Sequence, residues 1–140
     1  MKLIPFEPSH LKALTPQRSQ VVDLMCSRGV TGIENMGPAM TGIDGDEVIF
    51  CVGAAKQWEG RHIVWSLMSH KAGKYMFGII RAIKRVMPLY AGEGRIEVMV
   101  RADFPEGCRL VERFFGFQFH HYEERFLPDG ADALIYVRYF

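Results

Sequence analysis

The segment RHIVWSLMSHKAGKYMFGIIRAIKRVM, residues 61–87, decides how the chain is read. Its first eight residues, 61–68, form a strand-like apolar run, and SHKAGK is a short loop holding one glycine and two lysines. From Gly73 to Met87 the apolar residues Met76, Ile79, Ile80, Ile83 and Met87 recur at the spacing of one helix face, with Arg81, Lys84 and Arg85 off that face. Pro88 is expected to stop the helix, since it has no N–H to donate and clashes with the preceding turn. After the turn AGEG, residues 95–101 read as another strand, with Ile96, Val98 and Val100 on one side.

Outward from this unit the remaining elements fall into place. KLIPF, residues 2–6, is a short strand, and PSHLKAL, residues 8–14, a brief helix with Ser9 as a cap. In TPQRSQVVDLMCSRG, residues 15–29, Thr15 caps, Pro16 takes the first helical position, and Val21, Leu24 and Met25 keep helical spacing, which predicts a second helix. Runs 39–43, 47–55 and 61–68, separated by DGD and KQWEG, predict an antiparallel meander. Residues 105–115 are expected to be helical, opened by Pro105 and closed by Gly116. A final strand pair, 117–127 and 133–140, is joined by PDGAD, in which Pro-Asp-Gly is a turn.

Composition limits the function classes. The 140 residues are 49% hydrophobic and 24% charged, enough for one domain with a sizeable core. Seventeen basic and sixteen acidic residues give a formal charge of +1, so overall charge argues for neither nucleic acid nor an anionic membrane as main partner. RAIKR supplies one basic helix face, which is too little for a nucleic-acid surface. With no secretory leader or membrane-length apolar run, a soluble, cytoplasmic protein is expected. Cys26, Cys51 and Cys108 are odd in number and far apart, pointing to free thiols in a reducing compartment. No metal site is expected: adjacent His120 and His121 on a strand would face opposite ways.

The order strand, two helices, three strands, helix, strand, helix, two strands, together with the ending RLVERFFGFQFHHYEERFLPDGADALIYVRYF, resembles the GNAT superfamily of N-acetyltransferases. Chain size, the short lysine-containing loop and the incomplete glycine motif also look like the GNAT-like proteins of tailed bacteriophages, including the internal virion protein A group. The resemblance implies an α/β fold: a mixed, mostly antiparallel sheet of six to seven strands with a splayed parallel pair, flanked by about four helices. It implies that acetyl-coenzyme A, or another acyl-coenzyme A, enters between the fourth and fifth strands, 61–68 and 95–101. The pyrophosphate would then meet the start of the intervening helix, where unpaired N–H groups and the helix dipole favour anions. On this reading Leu67, Met68, Ser69, Lys71, Ala72, Gly73, Lys74 and Tyr75 contact the cofactor, with the Leu67 or Met68 N–H serving the oxyanion. The family's loop signature is Gln or Arg, two residues, Gly, one residue, then Gly or Ala; SHKAGKY keeps Gly73 and lacks the leading Gln or Arg. The alternative reading of this loop is an ordinary corner with solvated lysines.

Amine acylation needs a neutral amine, a donor for the oxyanion and a proton for the departing thiolate. Counted back from Gly116-Phe117, the position of the family's acid Tyr is Glu112, its preceding apolar position is Val111, and its Asn position is Pro105. His62, Glu59, Glu112 and Tyr122 are therefore the candidate acid–base residues, each with a plainer alternative: a hydrogen-bonded sheet histidine, solvated carboxylates and a packing aromatic. Cys108 as an acyl carrier is weaker, having no base beside it in sequence. The leading expectation is acyl transfer to an amine of a protein, a bacterial host's among them, or of a small molecule, with oligomerisation left open. The rival is a bacteriophage-derived binding protein that has lost turnover.

Overall fold

The computed structural model describes residues 1–20 and 37–140. From Val21 onward the predicted second helix, with Leu24, Met25 and Cys26, lies outside them. Its described start departs from the expectation, because Pro16 bridges Ser69 in antiparallel fashion instead of opening a helix, and Arg18–Gln20 forms only a 3-10 turn. Among the described residues seven strands form one sheet: β1 (Lys2–Pro5), β2 (Ala39–Asp44), β3 (Glu47–Trp58), β4 (Arg61–Met68), β5 (Arg95–Arg101), β6 (Gln118–Glu123) and β7 (Ala133–Tyr139). Their order across the sheet is β1-β2-β3-β4-β5-β7-β6. Every pairing is antiparallel except β4 with β5. Three helices are described: α1 (Pro8–Ala13), α2 (Met76–Ala91) and α3, which starts as Pro105–Arg109. The expected mixed α/β architecture is the one observed.

Helices cover both faces of the sheet. Leu11 and Leu14 pack with Val48, Cys51 and Leu67 on one side. On the other, Ile79, Ile83 and Met87 of α2 pack with Phe50, Val52, Met68 and Ile96. This two-sided cover explains why residues 48–54 of β3 are buried without interruption, where a one-sided strand would alternate. Cys51 is deep in this layer, and burial pushes its thiol up to about 11, against a weaker opposing hydrogen bond from Thr41. It is held protonated and is a packing residue. No helix among the described residues is long and apolar enough to cross a membrane.

Several sequence expectations need correction, beginning with the cap of α1, which is Glu7 and not Ser9 because the helix already starts at Pro8. Helix α2 runs through Pro88 to Ala91, because the proline forfeits only its own N–H bond, while buried Met87 and Ala91 anchor the last turn. Gly92, at φ 63°, ends it by donating to Pro88 O at 3.1 Å. Strand β3 continues past Ala55 to Trp58, since Lys56 and Trp58 still pair with His62 and Arg61 across a bulge. The Arg61 guanidinium caps the Trp58 ring at 4.5 Å. Strand β6 is shorter than 117–127, ending at Glu123. It also carries a bulge between Phe119 and His121, which undoes strict alternation: the Nδ1 atoms of His120 and His121 lie 2.7 Å apart, one donating to the other.

One ion cluster bears directly on the functional region. Glu97 on β5, 8% exposed, accepts from Arg61 Nε on β4 at 2.8 Å and from Arg95 Nε at 2.9 Å. Burial alone would raise its carboxyl pKa, but the two arginines outweigh burial and hold it below the usual range. The pair ties β4 to β5 at one end. Glu97→Gln is expected to cost about 1.5 kcal/mol, as one partner of a desolvated pair is neutralised. Because the folded pKa is depressed, this contribution is present above the ordinary carboxylate range and is lost as pH falls through the folded value. Urea unfolding should therefore separate wild type from variant at pH 7 and separate them less at a pH below the folded value. An equal gap at both pH values would show that the carboxylate charge is not the source.

Candidate functional site

The parallel pairing of β4 and β5 is brief. Arg61 through Val64 are in register with Arg95 through Val98, and beyond that point the strands part. The Arg61–Glu97 tie holds the closed end; Ser66 to Met68 and Met99 to Arg101 flank the open one. A gap of about 1250 Å³ occupies the opening. Its walls include Val64, Ser66, Val98, Val100, Leu110 and Met76, the first residue of α2. Of its lining arginines, Arg101 pairs with Asp103 and Asp129 and Arg109 lies near Glu106, so Arg18 and Arg113 are the cations that favour an anionic guest.

Strand β4 presents its backbone to this gap at alternate residues. Leu67 is in register with Cys51, and Ser69 N–H donates to Ile49 O at 2.7 Å, so these two serve β3. Ser66 and Met68 turn their groups the other way. There they meet a side chain: Gln20 Nε2 donates to Ser66 O at 2.8 Å, and Gln20 Oε1 accepts from Met68 N–H at 2.8 Å. The carboxamide thus supplies one donor and one acceptor, as a peptide unit of a neighbouring strand would. Gln17 N–H donates to Met68 O at 2.9 Å and His70 N–H to Thr15 O at 3.0 Å, so residues 15–20 run along the open edge of β4. Sequence reading missed both glutamines; they contact β4 residues about 50 positions away, and polar residues in TPQRSQ carry no signal of that.

The loop after β4 is a tight corner followed by a 3-10 turn, Ala72–Tyr75, that feeds α2. Ser69 and Ala72 are buried and hold it: Ser69 Oγ accepts from Lys71 N–H at 3.1 Å, and Ser69 O from Ala72 N–H at 3.0 Å. Lys71 Nζ pairs with Glu47 at 2.8 Å, and Tyr75 Oη donates to Asp44. That hydrogen bond is the main reason the Tyr75 phenol is pushed above its ordinary pKa. Gly73 faces open space, for a Cβ built there meets nothing within 4 Å. Lys74 lies beside the Tyr75 ring, 5.9 Å from its centre. Of the loop's two cations, Lys71 is the one already matched by a carboxylate.

The four acid–base candidates do not converge on the gap. Glu59 sits in the β3–β4 turn, fully exposed and bonded to Lys56, whose hydrogen bond and charge hold its pKa low. His62 is at the closed end of β4, with Nδ1 buried and without a hydrogen-bond partner. Tyr122 lies on edge strand β6, two strands beyond β5, and donates to Asp132, the chief cause of its raised pKa. Glu112 does not line the gap: it lies in a π turn, Leu110–Phe114, that ends α3, and beyond it Phe117 N–H caps the helix by donating to Val111 O at 3.0 Å. Counting back from Gly116-Phe117 presumes regular α-helix, and the wider turn sends Glu112 to Tyr136 Oη at 2.8 Å instead. Tyr136 is 2% exposed; burial first, then Cys108 and Glu112, push its phenol far above the ordinary value, so it stays protonated.

No protein-family model matches this sequence, and no curated protein sequence matches it. Solved structures do match the fold. A GNAT superfamily phosphinothricin acetyltransferase from Sinorhizobium meliloti, solved in complex with acetyl-coenzyme A, superposes with a TM-score of 0.69 at 16% identity, covering 99% of this chain and 88% of that one. A ribosomal-protein-alanine N-acetyltransferase from Brucella melitensis gives 0.69 at 13% identity over 100% of both chains. A spermidine N-acetyltransferase variant from Vibrio cholerae gives 0.69 at 11%, covering 99% and 95%. The chain has the fold of the GNAT N-acetyltransferases.

Proposed function

We propose that residues 1–140 form a single acyl-coenzyme A-binding domain that transfers an acyl group, acetyl in the simplest case, to an amine of a protein or small molecule. The observation that carries this reading is the parting of β4 and β5 beyond Val64 and Val98, with the Ser66 carbonyl and Met68 N–H turned into the opening. Acyl-coenzyme A, when bound, supplies an activated thioester. Ser66 O and Met68 N–H would pair with the amides of its pantetheine arm once Gln20 releases them. Gly73 and Lys74, just before α2, would face the pyrophosphate, and the gap's arginines add positive potential.

Proton transfer by His62, Glu59, Glu112 or Tyr122 requires each to reach the gap, and none of the four lines it. Transfer is therefore expected to be slow, since a missing positioned acid or base costs about 10² to 10⁴ in rate. A second reading, a catalytically weak bacteriophage protein that acts by binding a host protein or as a virion component, is favoured by Gln20 already holding the β4 edge. Both readings put the protein in the cytoplasm, that of an infected host in the second.

Calorimetric titration with coenzyme A and a thiol-release assay with acetyl-coenzyme A test the first reading. Binding should weaken with added salt, and Lys74→Ala should flatten that dependence and reduce affinity about threefold, while Lys71→Ala, its cation already matched by Glu47, should do less. Dephospho-coenzyme A controls for contacts to the ribose phosphate. Absence of binding at low salt would leave the second reading.

A further inference from the structure

The gap has an apolar neighbour where β4 and β5 meet. A second cavity of about 60 Å³ lies against α2, and Val64, Trp65, Ser66, Val98, Leu110 and Val111 line both spaces. The shared wall includes the last parallel pair, Val64 and Val98. Beyond the shared wall the cavity is lined by Ala54 of β3 and by Val86, Met87 and Tyr90 of α2. Its lining is almost wholly aliphatic and aromatic. Such a space gives a water molecule few partners, so filling it with apolar groups is favourable.

We propose that this cavity is a pocket for the tail of an acyl group longer than acetyl, so that the preferred acyl donor carries a short chain of about four to six carbons. The inference rests on the acyl-coenzyme A reading of the gap and adds the donor's chain length to it. Size sets the range: about one water-sized group fits per 10–15 Å³ of such volume, so the cavity takes roughly four methylene-sized groups beyond the shared wall. Position sets the class. An acetyl group at the meeting point of β4 and β5 leaves the cavity empty, whereas each added methylene leaves water for an apolar wall. The small volume lined by Ala54, Met87 and Tyr90 sets an upper limit on the length that is buried.

The test is calorimetric titration of the full chain with coenzyme A, acetyl-, butyryl-, hexanoyl- and decanoyl-coenzyme A. Each buried methylene tightens binding about fourfold, so butyryl should bind at least about tenfold tighter than acetyl, with no further gain from hexanoyl to decanoyl. Val86→Phe, which fills the cavity from α2 without touching the gap, should bring the butyryl-to-acetyl ratio close to one and leave acetyl-coenzyme A binding within about twofold. Met87→Ala, which enlarges the cavity, should move the optimum to a longer chain, and circular dichroism checks that both variants fold. Equal affinity for acetyl and butyryl forms in a wild type that binds coenzyme A, or a ratio untouched by both variants, would overturn the pocket alone. No binding of unacylated or acylated coenzyme A would overturn the pocket together with the acyl-coenzyme A reading.

Discussion

Gly73→Val is expected to raise the dissociation constant for coenzyme A about a hundredfold and leave the fold intact. A pyrophosphate bound at the start of α2 must approach the main chain of the preceding turn closely, and a glycine there is the one residue with nothing in the way. Loss of two charge-assisted hydrogen bonds at about 1.5 kcal/mol each gives the hundredfold figure. The fold should tolerate the change because the added Cβ meets nothing within 4 Å and the Gly73 backbone lies outside the left-handed region. Gly73→Ala, with a single methyl, should fall between the two. Titration calorimetry on samples matched by circular dichroism decides the matter; equal binding by wild type and valine variant would make the loop a plain corner.

Gln20→Ala should act in the opposite direction and tighten coenzyme A binding about thirtyfold. In the free protein the Gln20 carboxamide holds Ser66 O and Met68 N–H, both at 2.8 Å, and these groups must be released before a pantetheine amide can take them. Each such bond is worth about 0.5–1.5 kcal/mol over its hydrated alternative, so two amount to about 2 kcal/mol. In the variant, water takes their place and leaves more readily. Gln20→Glu sharpens the test: a carboxylate can still accept from Met68 N–H but cannot donate to Ser66 O, and it should relieve about half of the block. Weaker binding by Gln20→Ala would instead identify Gln20 as a contact that the cofactor needs. Thiol release should rise with affinity at low acetyl-coenzyme A and change little at saturation, since Gln20 touches β4 and none of the proton-handling candidates.

These two positions differ in how they can be found. Gly73 is legible in residues 61–87 because its place before α2 follows from local grammar: an apolar strand, a short loop, a helix with one apolar face. The same grammar gives all seven strands, the meander of β2 to β4 and the helical crossover to β5, since strand and helix periodicities are properties of consecutive residues. Gln20 is not legible. Its hydrogen bonds span 46 and 48 residues, and any polar side chain in TPQRSQ would read alike. Glu112 shows the same limit from the other side: its sequence position matches the family's acid, but one π turn, invisible in LVERF, aims it at Tyr136.

The sequence by itself thus determined the seven strands, the helices α1, α2 and α3, their order, and the glycine before α2, because each depends on neighbours along the chain. Tertiary structure decided how far elements extend and where side chains meet. Met87 and Ala91, buried against the sheet, carry α2 past Pro88, and pairing with β4 carries β3 to Trp58. The gap exists because β4 and β5, tied at one end through Arg61 and Glu97, part after Val64. What closes or lines that gap is set by contacts between residues far apart in sequence, whose energies no local pattern encodes.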